Sequence, residues 1–433
     1  MIKLYFRQAW QLLKQNRLYS TVYVVGTGLA IAMIMIIAII YFVKIAPFYP
    51  ETNRNRTLAF RNMNVNYAGG AMASSSLSYS FIREHLYTLK EAEAATAMLS
   101  TYGETNYVEQ GETGKLIPVT IKYTDVNFWR VFDFEFINGK PFGQAEFQSA
   151  MHTVVISAAI AKKAFGTTQA EGKTITIDSN QYRVAGVVRD ATYATPLTCA
   201  QIYMPFTLRA EEVNQAYGEG LLGSMSAYIL APTAAARTKV KDEVTEIIRK
   251  IANSQDNYTI NATGQPEELW KTGFRKYSNI AIDWWEIFST FGIMLLALLI
   301  VPAVNLAGMV SSRMEKRLAE VGVRKAFGAS SGTLINQMLV ENLLLTLLGG
   351  LAGLIMAWMV VYGARYWIFT LFDSWPQLPP EGMDSLLPAG ILFSPAIFMI
   401  ALVICLTLNL LSAIIPAWNA MRKDIVYSLN EKK

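Results

Sequence analysis

Four apolar runs constrain this chain most, because each is long enough to cross a lipid bilayer, which takes about 20 helical residues at a rise of about 1.5 Å each. They occupy residues 20–45, 283–310, 334–362 and 392–416. Hydrocarbon offers no partner to a backbone N–H or C=O, so such runs are expected as helices. The first contains GLAIAMIMIIAIIYFV. That core exceeds the roughly 7–15 apolar residues of a cleaved leader, and no small-x-small cleavage site follows, so it reads as a retained anchor. Composition agrees: 52% of the 433 residues are hydrophobic and 16% are charged, where soluble domains carry roughly a quarter charged residues.

Lysine and arginine set the orientation. Lys3, Arg7, Lys14 and Arg17 precede the first run; Arg313, Lys316, Arg317, Arg324 and Lys325 lie between the second and third; Arg422, Lys423, Lys432 and Lys433 follow the fourth. The loop over residues 363–391 has Arg365 beside Asp373, Glu381 and Asp384. Positive residues gather on the cytoplasmic side. Residues 1–19, 311–333 and 417–433 are therefore expected inside, and 46–282 and 363–391 outside. The net charge of +5 is then topological, and nucleic acid is not implied. Residues 1–19 place Leu4, Ala9, Leu12 and Leu13 near one helical face. This fits an amphipathic helix at the cytoplasmic interface, or an extension of the first span.

Residues 46–282 are long enough for a globular domain. KLIPVTIKY, HTVVIS, KTITID and QYRVAGVV read as short strands, punctuated by NGK, SAAIAKKAFG and DSN. SYSFIREHLYTLKEAEAA and TAAARTKVKDEVTEIIRKIAN have helical periodicity. Helices flanking a strand-rich middle predict an α+β extracytoplasmic domain in two lobes, inserted between spans one and two of a four-span helical membrane region. The stretch from Tyr67 to Tyr79, with Gly69, Gly70 and three serines, reads as a flexible loop open to a binding role.

Catalytic chemistry is not visible. The cysteines are Cys199 and Cys405, read as free thiols because Cys405 falls in an apolar run and cannot reach an extracytoplasmic Cys199, and the histidines are His85 and His152, so neither a disulfide framework nor a metal site is expected. The run from Gly166 to Gly172-Lys173-Thr174 imitates a phosphate loop. It has one residue too many between its glycines, and a strand follows where phosphate cradling needs a helix N-terminus. Asn257 and Asn261 fit glycosylation acceptors, which matter only on a eukaryotic secretory route.

The densest pattern is NLAGMVSSRMEKRLAEVGVRKAFGASSGTLINQMLVEN, residues 305–342. Glu320 stands four residues before Arg324, the favourable order for a helical ion pair, and Met314, Leu318 and Val321 share a face. Gly328 followed by Ala329-Ser330-Ser331 suits a helix stop and a capped restart. A solvated basic loop supplied by the positive-inside bias is the plain alternative. In the membrane, Gly26 and Gly28 with Ala30 and Ala32, and Gly349 with Gly353, form small-xxx-small pairs, suited to a dimer contact or to packing within one subunit. Pro302 is expected to kink span two and release a carbonyl near Asn305.

RMEKRLAEVGVRKAFGAS resembles the signature after the second span of MacB/FtsX-type ABC transporter permeases, with Arg317, Glu320, Val321, Gly322, Arg324, Lys325, Ala326, Gly328 and Ala329 at the matching positions. Asn305, Glu341 and the tail Pro416-Ala417-Trp418-Asn419-Ala420 resemble further family positions, although Lys423-Asp424-Ile425-Val426 lacks the family's proline. FWRVFDFEFINGKPF, HTVVISAAIAKKAFG and QYRVAGVVRD resemble its periplasmic core domain. The resemblance implies a multi-pass subunit of the bacterial inner membrane, with both termini cytoplasmic and the large domain periplasmic. It implies a coupling helix, carried by Arg313, Arg317, Glu320, Val321, Gly322, Arg324, Lys325 and Gly328, seated on a separate cytoplasmic ATPase. That ATPase, not this chain, would bind ATP and magnesium. Further implied are a second permease, as a homo- or heterodimer, and transmission of motion to the periplasm, with a periplasmic or membrane-fusion protein as a possible third component. Substrates would be peptides, lipoproteins or antibiotics. The alternative is a signalling scaffold that couples the ATPase to a periplasmic partner without transport; its cell-division examples mostly have a smaller outer domain.

Overall fold

A computed structural model describes residues 17–101, 104–110, 114–192, 194–254, 257–297, 300, 308, 322–324, 326–364 and 394–422. Two units divide them: residues 42–283 form a strand-rich outer unit, and the flanking segments form a helical unit.

In the helical unit, Ser20–Ile45 and Gly332–Gly363 are long and apolar enough to cross a membrane, and Trp284–Ala297 and Pro395–Thr407 are shorter apolar helices. The first helix runs unbroken from Arg17 to Ile45, so Arg17 continues the apolar helix; the amphipathic stretch expected before it lies outside the described residues. The helix beginning at Pro395 continues to Arg422. Ile31, Ala32, Ile34 and Met35 share a buried cluster with Ala357, Ala401, Leu402 and Cys405.

In the outer unit the strands are β1 (Thr57–Phe60), β2 (Met63–Tyr67), β3 (Met72–Leu77), β4 (Ala94–Leu99), β5 (Asn106–Gln110), β6 (Lys115–Val119), β7 (Ile121–Thr124) and β8 (Phe136–Gly139). They continue as β9 (Thr153–Ser157), β10 (Thr174–Ile177), β11 (Asn180–Val188), β12 (Ile202–Pro205), β13 (Leu222–Gly223), β14 (Met225–Leu230), β15 (Tyr258–Asn261) and β16 (Glu267–Glu268). Their main order is β15-β2-β3-β14-β4-β7-β12-β9-β11-β10-β5-β6. Strands from residues 57–99 and 222–268 thus fill one end of the sheet and those from 106–205 the other. The ends meet where β4 pairs β7 at Met98↔Thr124. β1 pairs both β14 and β16, which puts the first and last strands of the unit side by side.

Asp125, one residue beyond β7, pins this meeting point. Its buried carboxylate accepts from Tyr87 Oη and Thr96 Oγ1, both at 2.5 Å, and from the Ala97 and Phe128 amides at 2.9 and 3.0 Å. The last of these bonds holds the start of the helix Phe128–Val131. Phe128 and Phe132 of FWRVFDFEF are buried there, and Phe128 packs against Tyr203 of β12 with ring centroids 5.8 Å apart.

Several elements differ from the sequence expectation. The stretch expected as a flexible loop from Tyr67 to Tyr79 is mostly the β2–β3 hairpin, paired from Met63↔Ser75 to Asn66↔Met72. Gly70 takes φ +83° at its turn, and Ser74 and Ser75 donate to Asn62 and Gly223, so the serines are ladder residues. SYSFIREHLYTLKEAEAA is helical only over Tyr79–Leu86. Its alanine-rich end becomes β4, buried at every position against β14, because burial overrides a modest helical propensity. KLIPVTIKY breaks at Thr120, since β6 follows β5 while β7 runs parallel to β12. SAAIAKKAFG contains the helix Ala158–Phe165, with Ser157 accepting from the Ile160 amide and Gly166 closing it at φ 72°. Gly172-Lys173-Thr174 leads into the β10–β11 hairpin.

Replacing Asp125 with alanine strips three buried donors and the half-buried Tyr87 hydroxyl of their acceptor at the junction of the two sheet ends. The expected loss is about 3–5 kcal/mol of outer-domain stability, read as a lowered denaturation midpoint of the detergent-solubilised chain. An unchanged midpoint would show that the pin is dispensable.

Candidate functional site

Two places carry the residues singled out by the sequence, and the structure adds a third. The first is the segment before Ser331. Arg313, Arg317, Glu320, Val321 and Lys325 lie outside the described residues; Gly322, Arg324 and Gly328 are within them. A helical turn ends here. The Ala329 amide donates to Arg324 O at 3.0 Å across Gly328, whose φ of +88° only glycine adopts without strain. Ser330 then caps the helix Ser331–Gly363 by accepting from the Thr333 amide. Arg324 Nη1 donates to Gln337 Oε1 of that helix at 2.8 Å. Phe327 is 89% exposed and Val323, four residues earlier, 45%. An apolar pair bared on a basic segment was missed by a reading centred on charge, though its i, i+4 spacing was in the sequence.

The second place is the helix crossing in the helical unit. A Cβ on Gly353 would stand 2.6 Å from Gly28 O and 2.9 Å from Ile31 Cβ, and one on Gly28 would stand 3.1 Å from Gly349 O. Gly28, Gly349 and Gly353 therefore meet within one chain. Gly26 has nothing within 4 Å. Pro302 and Asn305 lie outside the described residues.

The third place was not foreseen: the two ends of the outer unit, where it joins the apolar helices. The last turn of a helix leaves carbonyls without intrahelical partners. Arg54 Nη1 donates to Val43 O at 2.9 Å and Lys44 O at 3.0 Å. The other side of its guanidinium holds Glu51 Oε2, with Nη2 at 2.6 Å and Nε at 3.0 Å. Glu51 Oε1 in turn accepts from Thr198 Oγ1 at 3.0 Å. Lys122 and Cys199 lie beside Glu51; burial lowers the Lys122 ammonium pKa and pushes the Cys199 thiol up to about 12, against the pull of Lys122.

At the other end, Arg275 grips Glu267 of β16 bidentately, Nε–Oε1 at 2.8 Å and Nη2–Oε2 at 2.7 Å, with both side chains almost fully buried. Arg275 also donates to Thr263 O and Ile280 O, and Gln265 Nε2 to Ser278 O at 2.9 Å. Both junctions thus rest on a buried arginine–glutamate pair that also ties down chain carbonyls. Losing one member of such a pair costs about 3–5 kcal/mol, because the other stays buried and uncompensated. The i, i+3 spacing of Glu51 and Arg54 beside an apolar run was a usable signal; nothing local links Glu267 to Arg275. Among the described residues no three His, Cys, Asp or Glu side chains converge as a metal site requires.

A family model described as the MacB-like periplasmic core domain matches residues 24–247, more than half of the chain, and one described as the FtsX-like permease C-terminal matches residues 292–425. The chain belongs to the MacB/FtsX-type ABC transporter permeases. The permease is 23% identical over 301 residues to the ABC transporter permease YknZ of Bacillus subtilis (strain 168), covering 69% of each. It is 23% identical over 282 residues to the macrolide export ATP-binding/permease protein MacB of Aggregatibacter actinomycetemcomitans, covering 63% of this chain and 41% of that one. The permease therefore spans less than half of that relative. Among solved structures, it is similar to a domain of a putative permease protein from Porphyromonas gingivalis at TM-score 0.35 and 17% identity, over 50% of this chain and 92% of that one. The periplasmic region of MacB from Actinobacillus actinomycetemcomitans gives TM-score 0.32 and 14% identity, over 46% and 88%.

Two predictions follow from this geometry. Gly353→Leu is expected to cost the permease about 1–3 kcal/mol by forcing the helices apart, whereas Gly26→Ala should leave thermal stability in detergent unchanged; equal effects would refute the crossing. Because burial holds Cys199 as a thiol far above neutral pH, maleimide should fail to label it in the native permease from pH 7 to 9 and label it after denaturation, as mass spectrometry would record.

Proposed function

We propose that this chain is the permease subunit of an ATP-driven transporter that acts by mechanotransmission on periplasmic or membrane-derived substrates such as peptides, lipoproteins or antibiotics. In this reading four helices span the inner membrane, both termini are cytoplasmic, and residues 46–282 are periplasmic. ATP and magnesium belong to a separate ATPase subunit, and the permease works as a dimer. ATP binding draws the ATPases together, and the helices carry that motion to the outer domain.

The observation that carries the reading is the short helical segment closed by Gly328 and followed by the Ser330-capped helix, inside the match to the FtsX-like permease C-terminal. A capped turn leading into a long helix gives a motor a surface to push on. Arg324 on this turn is braced by Gln337, and Phe327 offers an exposed ring of the kind that anchors protein interfaces. Basic residues beside it give steering and register. The size of the outer domain favours transport over the signalling alternative.

The test is capture of the ABC ATPase by tagged full-length permease from its own membranes. Glu320→Lys, Arg324→Glu and Phe327→Ala should each cut capture at least about tenfold, a loss of about 1.4 kcal/mol, while membrane insertion persists. Normal capture by all three would remove the coupling assignment. In vesicles, ATPase stimulation by a small substrate supports transport; stimulation only by a periplasmic protein supports signalling.

A further inference from the structure

Along the backbone, the helix Arg17–Ile45 leads into β1, and β1 pairs β16, the last strand before the segment that reaches Trp284. Covalent connection alone therefore ties both apolar helices to the same end of the sheet. Among the described residues, the second junction reaches no strand of the β5–β12 end through its side chains: Arg275, Gln265 and Asn64 direct theirs to residues 61 and 263–280, and Lys44 Nζ of the first helix donates to Gly273 O at 3.2 Å in an exposed bond. The first junction is different. Tyr49 Oη donates to Arg189 O and accepts from the Glu135 amide, Asn53 Nδ2 donates to Val131 O, and Glu51 accepts from Thr198. All of these partners follow β7; Glu135, Arg189 and Thr198 flank strands of the β5–β12 end, whereas Val131 closes a helix that lies beside β4 and β14.

These contacts are not mechanically equal. The Tyr49 bonds are exposed to solvent and the Asn53 bond is half-buried, so water competes for them. Glu51 is 2% exposed, Arg54 5% and Thr198 0%. The Glu51–Thr198 bond is also in series with the helix itself, because Arg54 links Glu51 to the carbonyls of Val43 and Lys44. From Thr198 the path continues inward. Tyr203 Oη of β12 donates to Thr198 O at 2.8 Å, and β12 pairs both β7 and β9 in the middle of the sheet.

We infer that Thr198, acting through Glu51 and Arg54, is the positioning residue by which displacement of the helix Arg17–Ile45 moves the β5–β12 end of the outer domain. The second apolar helix, anchored through Glu267 and Arg275, holds the opposite end. Relative movement of the two helices would then strain the domain across the Met98–Thr124 pairing. This inference rests on the permease reading above, which supplies the displacement.

The experiment uses the full-length permease with its captured ATPase in nanodiscs. It compares hydrogen–deuterium exchange of residues 194–205 without nucleotide and with ATP plus vanadate. In the unmodified chain, nucleotide should change exchange there at least about threefold. Thr198→Val and Glu51→Gln should abolish that response while ATPase capture stays normal. Thr198→Ser, which keeps the hydroxyl, should restore it. Thr192→Val removes an equally buried hydroxyl of the same loop that has no hydrogen-bond partner, so it should respond like the unmodified chain. A full response in Thr198→Val, a lost response in Thr192→Val, or no response in the unmodified complex would each overturn the inference and leave the permease reading standing. Failure of the unmodified chain to capture any ATPase would instead remove the reading and, with it, the inference.

Discussion

A helix that ends against a folded domain must find donors for its last carbonyls where water is largely excluded, and in this permease Arg54 supplies them. Its guanidinium is suited to the task because it presents donors in two directions at once and keeps its charge when buried. One direction serves Val43 and Lys44, the other Glu51. The carboxylate is needed because an isolated buried guanidinium would be prohibitively costly. Its second oxygen is then left to accept from Thr198. A requirement for hydrogen-bond satisfaction at one helix end therefore recruits a loop nearly 150 residues away in sequence.

The same logic recurs wherever elements distant in sequence meet. Asp125 gathers four donors from three segments beside the single-residue pairing of β4 with β7. Arg275 and Glu267 repeat the arginine–glutamate arrangement at the other junction. In the helical unit the constraint is met by removing side chains instead: where Gly28, Gly349 and Gly353 meet, even one methyl group would press on backbone. Buried polar pairs give directional, stiff links outside the membrane, and close glycine contacts give tight dispersion packing among apolar helices.

Much of this architecture was legible beforehand, for identifiable reasons. Lipid imposes a length and an apolarity, so the helical segments showed through in composition. Turn chemistry marked Gly328 and Ser330 correctly because a positive φ and a capping hydroxyl are local requirements. The short strands β9, β10 and β11 were visible as β-branched runs between turn residues. Where reading failed, the deciding force was not local. The alanine-rich stretch at β4 became a strand only because β14 covers it. The serine-rich stretch expected to be loose became β3 because β2 lies beside it.

By itself, then, the sequence determined the apolar helical segments, the positive bias between them, the α+β character of the outer domain and the family signature around Gly322, Arg324 and Gly328. Each follows from short-range pattern, and solvation or backbone geometry enforces such patterns residue by residue. Tertiary structure alone decided that Glu51 would meet Thr198, that Glu267 would meet Arg275, and that β1 would lie against β16. Those pairings answer the burial of charge and of unsatisfied backbone groups, and which partner is within reach is known only once the whole chain has folded.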